Sequence, residues 1–158
     1  MRSGRKVFVI VHNVRSLHNV GSVFRTADGA GVTKIFLTGY TPMPVDELGR
    51  VRKEIHKTAL GAEKWLSWEK TASISKLIDR LQGAGVKVVA LENTKGAKDY
   101  RVFRPSFPLA LIVGNEVRGL SPAILKKCDS IVQIPMRGKK ESLNVAVAFG
   151  IAIYKIVG

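Results

Sequence analysis

Three runs in this chain are apolar over nearly their whole length, at Val7–Val11, Val86–Leu91 and Leu109–Val113, and a shorter one lies at Ile131–Ile134. A strand with one wet face alternates apolar and polar residues, whereas an unbroken apolar run belongs to a strand covered on both faces. Between these runs the spacing changes. Asn19–Gly29 sets Val20, Val23, Phe24 and Ala27 at helical intervals, and Thr71–Gln82 does the same before Gly83 and Gly85 end it. A further short strand is expected at Lys34–Leu37, a loop at Thr38–Arg50 and a helix at Val51–Ala62. Glu92–Phe107 is a polar loop rich in Lys and Arg, and Ser121-Pro122 opens another helix. Alternating strands and helices predict an α/β fold: a mostly parallel sheet covered by helices on both faces.

At 158 residues the chain reads as one domain, with no linker, repeat or low-complexity tract. Its 26 Lys and Arg against 12 acids leave a formal charge of +14, the balance of a domain that meets a polyanion, nucleic acid first among them. The single cysteine, Cys128, allows no internal disulfide and fits a reducing compartment. MRSGRK leads straight into the first strand without a signal peptide. The last helix is too short for the ~20 residues a bilayer needs. The expectation is a soluble cytoplasmic protein that does not enter a membrane.

Ligands of open α/β sheets bind at the carboxyl ends of the strands. Three loops there carry more than a connection requires: Glu92–Lys98, Gly114–Leu120 and Pro135–Ser142. Gly114 and Gly119 stand at the spacing of a phosphate loop, yet Leu120 occupies the place of its lysine. No dinucleotide fingerprint follows a strand, no Cys/His pairs offer a zinc site, and no nucleophile elbow is present. No metal is expected. The third loop carries Arg137, Lys139 and Lys140 and ends in Glu141-Ser142-Leu143-Asn144, before a helix apolar on nearly every side. Ser142 alone would read as that helix's N-cap. Arg25, off the apolar stripe of its helix, would read as a surface partner of Asp28. Glu116, an acid in a glycine-flanked loop, would read as a partner of Arg118 or a lysine.

Taken together, these segments resemble the SpoU (TrmH-like) branch of the SPOUT RNA 2′-O-ribose methyltransferases. NVGSVFRTADGAGV (19–32) resembles the first family motif, LIVGNEVRGLS (111–121) the second and IPMRGKKESLNVAVA (134–148) the third; KTALGAEKW (57–65) resembles an intervening segment. The likeness runs over almost the whole chain, without the extra RNA-binding domain of many members. It implies a deep trefoil knot in the C-terminal part of the sheet, a topology that general rules would exclude. It implies S-adenosylmethionine as cofactor, held by backbone groups of Leu91–Thr94, Gly114, Ile134, Met136 and Leu143. It implies a homodimer through the apolar last helix, with Arg25 of one subunit near the methyl donor of the other.

The implied reaction is attack of a ribose 2′-hydroxyl on the donor's methyl group, which needs alignment and a proton acceptor. A guanidinium keeps its proton in proteins, so Arg25 is expected to anchor an RNA phosphate and ease ionisation of the hydroxyl. Asn19, Glu116, Ser142 and Asn144 are expected to shape the pocket and orient Arg25 and the ribose. Arg15, Arg50, Arg52, Lys53, Lys57, Arg137, Lys139 and Lys140 are candidates for a phosphate track. The RNA, tRNA or rRNA, stays open. The alternatives are a non-catalytic RNA-binding or ribosome-associated protein on the same scaffold, and a SPOUT enzyme that methylates a base.

Overall fold

The computed structural model describes residues 5–158; Met1–Gly4, part of the leader read above as lacking a signal peptide, lie outside them. Seven strands form one sheet in which every pairing is parallel. They are β1 (Val7–His12), β2 (Lys34–Thr38), β3 (Trp68–Thr71), β4 (Lys87–Leu91), β5 (Lys98–Asp99), β6 (Leu109–Val113) and β7 (Ser130–Gln133). Their order across the sheet is β3-β2-β1-β6-β4-β7-β5, so β6 inserts between β1 and β4.

The apolar runs fill this sheet with side chains that alternate between two cores. Val7, Val9 and Val11 join Leu109, Leu111 and Val113 under α1 (Leu17–Gly29), α2 (Lys53–Ala59) and α5 (Val145–Val157). Ile10, Ala110, Ile112, Val88 and Ala90 point the other way, under α3 (Ile74–Gly83) and α4 (Pro122–Lys127). Burial on both faces is why these strands carry no polar alternation. α1 and α2 approach so closely that a Cβ on Gly21 would lie 1.8 Å from Thr58 Oγ1. Thr58 Oγ1 in turn donates to the carbonyl of His18 at 3.0 Å.

Several boundaries differ from expectation. Thr71 belongs to edge strand β3, paired with Thr38, and α3 starts after Ser73, whose hydroxyl caps the amide of Lys76 at 3.2 Å. The 51–62 segment is helical only over Lys53–Ala59, because Leu60 turns left-handed at φ 52°. A short 3-10 turn, Ala62–Lys64, follows. The 92–107 loop contains the two-residue strand β5. β7 is displaced by one residue from 131–134, leaving Ile134 at the start of the loop. α5 is covered on one side only: Phe149, Ala152, Ile153 and Ile156 are buried, while Val147 and Tyr154 are more than half exposed. No helix among the described residues is long and apolar enough to cross a membrane.

Candidate functional site

A cleft opens at the carboxyl ends of β4, β6 and β7, enclosing about 840 Å³ measured out to its mouth. Leu91, Gly114, Ile134 and Leu143 line it, with Ser142 and Glu116 at its polar side. Two side chains from the end of β4 fasten its walls. Glu92 Oε2 accepts the Leu120 amide at 2.9 Å. Asn93 Nδ2 donates to the carbonyls of Ile134 and Glu141, each at 3.1 Å. The loop after β6 closes on itself through an Asn115–Gly119 bridge. Asn115 Oδ1 accepts the amides of Val117 and Arg118 at 2.9 and 2.8 Å. Gly119, at φ +64°, sits so close to Glu92 that a Cβ would fall 2.2 Å from Oε2. The glycine spacing of this loop therefore builds a rigid wall held by Asn115 and Glu92.

Glu116 has a partner that its sequence neighbours did not suggest. Its Oε1 accepts the Arg15 amide at 3.0 Å and its Oε2 the Ser16 amide at 3.4 Å, so it ties the β6 loop to the turn before α1. The helix N-cap at the third motif is Asn144, not Ser142: Asn144 Oδ1 accepts the amides of Ala146 and Val147 at 2.9 and 3.3 Å. Asn144 Nδ2 donates to Oδ1 of Asn19, itself only 8% exposed, at 3.2 Å. The first and third motifs thus meet through two amides, while Ser142 is exposed on the cleft with no hydrogen bond to any described residue.

Leu91, Gly114, Glu116, Ile134, Ser142 and Leu143 therefore line one cleft. Thr94 and Met136 lie in an adjoining open depression with Lys139 and Lys140. Asn19 and Asn144 are bonded to each other and do not line the cleft, although Leu143 and Val145 on either side of Asn144 do. Arg25 is exposed on α1, lines none of the described cavities and has no ion pair among the described residues; its supposed partner Asp28 accepts from Trp65 Nε1 at 2.8 Å instead. Of the basic residues proposed as a phosphate track, Arg15, Arg50, Lys53, Lys57, Arg137, Lys139 and Lys140 are exposed and Arg52 is half-buried. Arg50 is engaged with Asp46 at 2.8 Å. Sequence reasoning passed over Glu92, Asn93 and Asn115 as individuals. Glu92 carried the same signal that singled out Glu116, an acid at a strand end in a chain with few acids. Among the described residues no three His, Cys, Asp or Glu side chains gather as metal ligands.

With this geometry in view, residues 6–154 match the model of the SpoU rRNA methylase family. The chain belongs to that family. A relative from Staphylococcus haemolyticus, assigned to the TrmH family of tRNA/rRNA methyltransferases, is 31% identical over 155 residues, covering 98% of this chain and 59% of its own. Among solved structures, an AdoMet-bound rRNA methyltransferase from Sinorhizobium meliloti is 32% identical with a TM-score of 0.85, covering 95% of this chain and 55% of that one. An RNA 2′-O-ribose methyltransferase is 25% identical with a TM-score of 0.83, covering 98% of this chain and 57% of that one. The chain thus spans less than two thirds of the length of these proteins.

Proposed function

We propose that the chain is an S-adenosylmethionine-dependent methyltransferase acting on the ribose 2′-hydroxyl of tRNA or rRNA. The observation that carries the reading is that the second and third motif segments line one cleft at the strand ends, while the first is joined to the third through the Asn19–Asn144 bond. The family membership, the AdoMet held by the S. meliloti protein and the 2′-O-ribose activity of another structural neighbour support it. The cleft's lining suits the cofactor, with aliphatic walls (Leu91, Ile134, Leu143) and strand-end backbone groups at its rim. The insertion of β6 between β1 and β4, with β7 beyond, supports a knotted path in this part of the chain.

The bound cofactor would supply an electrophilic methyl group. This chain's residues do the rest. Leu91, Gly114, Ile134 and Leu143 would hold the donor, with Thr94 and Met136 at its outer edge. Glu116 and the Asn19–Asn144 pair fix the loops that face the acceptor ribose, and Ser142 reaches that space as an unengaged hydroxyl. Arg25 would anchor an RNA phosphate and favour ionisation of the 2′-hydroxyl. Because it is exposed and lines none of the described cavities, we place it at the partner's cleft in a homodimer built on the exposed side of α5 and on α1. Exposed Lys139 and Lys140, beside the cleft, extend the positive surface for phosphates.

The test is transfer of a tritiated methyl group from S-adenosylmethionine to total RNA of a strain lacking the gene, alongside calorimetry of cofactor binding without metal. Wild type should bind and transfer; Arg25→Ala should bind with near-normal affinity and fail to transfer. Absence of cofactor binding at millimolar concentration, or normal turnover by Arg25→Ala, would sink the proposal.

A further inference from the structure

A second open cleft, about 1280 Å³ out to its mouth, lies on the far side of the Asn115–Arg118 loop from the first, and that loop walls both. Its distinguishing feature is Tyr40, 55% exposed just beyond the carboxyl end of β2. Exposed aromatic rings on mobile loops are unremarkable, but the backbone under this one is fastened on every side. Asn13 Oδ1 accepts the Tyr40 amide at 3.0 Å, from a residue itself held at φ 55°. Lys70 Nζ donates to the flanking carbonyls of Gly39 and Thr41 at 2.7 and 2.6 Å. Thr41 Oγ1 donates to Val11 O at 2.8 Å and accepts the Val14 amide at 3.2 Å. The ring's own hydroxyl accepts from Asn115 Nδ2 at 2.9 Å, the side chain that shapes the second motif's loop. A side chain held at its hydroxyl and more than half exposed, with so many bonds spent on its backbone, is arranged to receive something flat.

The surroundings say what. Exposed Arg15 and Arg118 line the same cleft and make no ion pair with any described residue, while Pro42 and Leu17 supply apolar wall. The Glu116 carboxylate lines this cleft too, with its oxygens taken by the Arg15 and Ser16 amides. A flat ring sharing a cleft with two guanidinium groups that make no ion pair with a described residue is the chemistry that recognises an unstacked nucleotide, base on ring and phosphate on arginine. Resting on the RNA reading above, we infer that Tyr40 is a stacking platform for a nucleobase of single-stranded RNA, positioned across the Asn115–Arg118 wall from the donor cleft. Tyr40 would thereby set the register in which the strand presents a ribose to the donor, and the Asn115 bond would couple that register to the donor's wall.

The test uses a single-stranded oligoribonucleotide carrying 2-aminopurine, whose emission falls when the base stacks, and needs no turnover. Tyr40→Ala should weaken oligonucleotide binding about ten- to a hundredfold and abolish the quenching. Tyr40→Phe, which keeps the ring, should restore affinity to within about threefold of wild type, since Asn115 Nδ2 retains its bond to Asn13 O at 2.9 Å. S-adenosylmethionine affinity should be the same in all three. Wild-type affinity and quenching in Tyr40→Ala would overturn the platform. So would Tyr40→Phe as weak as Tyr40→Ala, or cofactor affinity falling in step with RNA affinity, because either marks Tyr40 as a brace for the loop. Failure of the wild-type chain to methylate any RNA would defeat the proposed function through a separate readout.

Discussion

Removing the Asn144 side chain should cost stability that removing the Ser142 side chain does not. Asn144 Oδ1 caps α5 through the amides of Ala146 and Val147. An Asn-to-Ala change at such a position costs roughly 1 kcal/mol. The same change strips the amide donor from Asn19 Oδ1, in a residue 8% exposed, and an unpaired buried acceptor costs about 1–3 kcal/mol. Together Asn144→Ala should lose about 2–4 kcal/mol. In a domain of this size each kcal/mol moves Tm by roughly 2–4 °C, so the midpoint should fall by about 4–16 °C. Ser142→Ala removes an exposed hydroxyl with no hydrogen bond to a described residue and should stay within about 0.5 kcal/mol. Asn144→Asp keeps an oxygen for the cap and should recover part of the loss. Thermal unfolding followed by circular dichroism reads all three. If Ser142→Ala lowered Tm as far as Asn144→Ala, the cap would be misplaced and the separation of structural from chemical roles here would be wrong.

Arg25→Lys should be nearly as inactive in methyl transfer as Arg25→Ala while Tm stays within a few degrees of wild type, because a point charge does not reproduce a planar fork; half-normal turnover would show that charge alone suffices. Gly119→Ala must accept φ +64° and displace the Glu92 carboxylate that holds Leu120, so calorimetry should show S-adenosylmethionine binding weakened at least tenfold; unchanged affinity would free this loop from any role in the donor cleft. Bonds from Arg80 and Lys34 hold the Glu69 carboxyl down at about 2. A depressed acid stabilises the fold above its unfolded value near 4.5 and loses that stabilisation as pH falls toward 2. Glu69→Gln should therefore flatten the acid limb of Tm against pH over that window, and an unaltered limb would contradict it. Light scattering should give a dimer mass at micromolar concentration, and Ile151→Asp on α5 should split or unfold it; a soluble, active monomeric variant would refute the dimer.

The sheet was legible where burial left it no other pattern. Val7–Val11 and Leu109–Val113 are central strands, and their unbroken apolar runs follow from cores on both faces. β3 escaped because it is an edge strand: Glu69, Lys70 and Thr71 keep solvent contact, and Thr71 and Ser73 both look like helix caps until pairing with Thr38 claims the first. Ser142 posed a similar ambiguity at α5, where the bonds from the Ala146 and Val147 amides to Asn144 Oδ1 make Asn144 the cap. The further bond to Asn19, 125 residues away, was beyond the reach of local pattern. The strand order was beyond reach for a similar reason, since placing β6 between β1 and β4 depends on contacts between distant segments. In the site, motif spacing marked the loops but not what fastens them. Glu116 and Glu92 both look like solvent-facing acids in sequence, yet each accepts backbone amides of another loop.

The central claim is that the methyl group arrives on a ribose. Total RNA from a strain lacking the gene, labelled by the purified chain with methyl-tritiated S-adenosylmethionine, should be hydrolysed in alkali, where cleavage needs a free 2′-hydroxyl. Ribose methylation predicts tritium in alkali-stable dinucleotides, lost when Arg25→Ala replaces wild type. Tritium recovered in mononucleotides with a methylated base would contradict the account, and so would RNA that takes up no label from a chain shown to bind the donor.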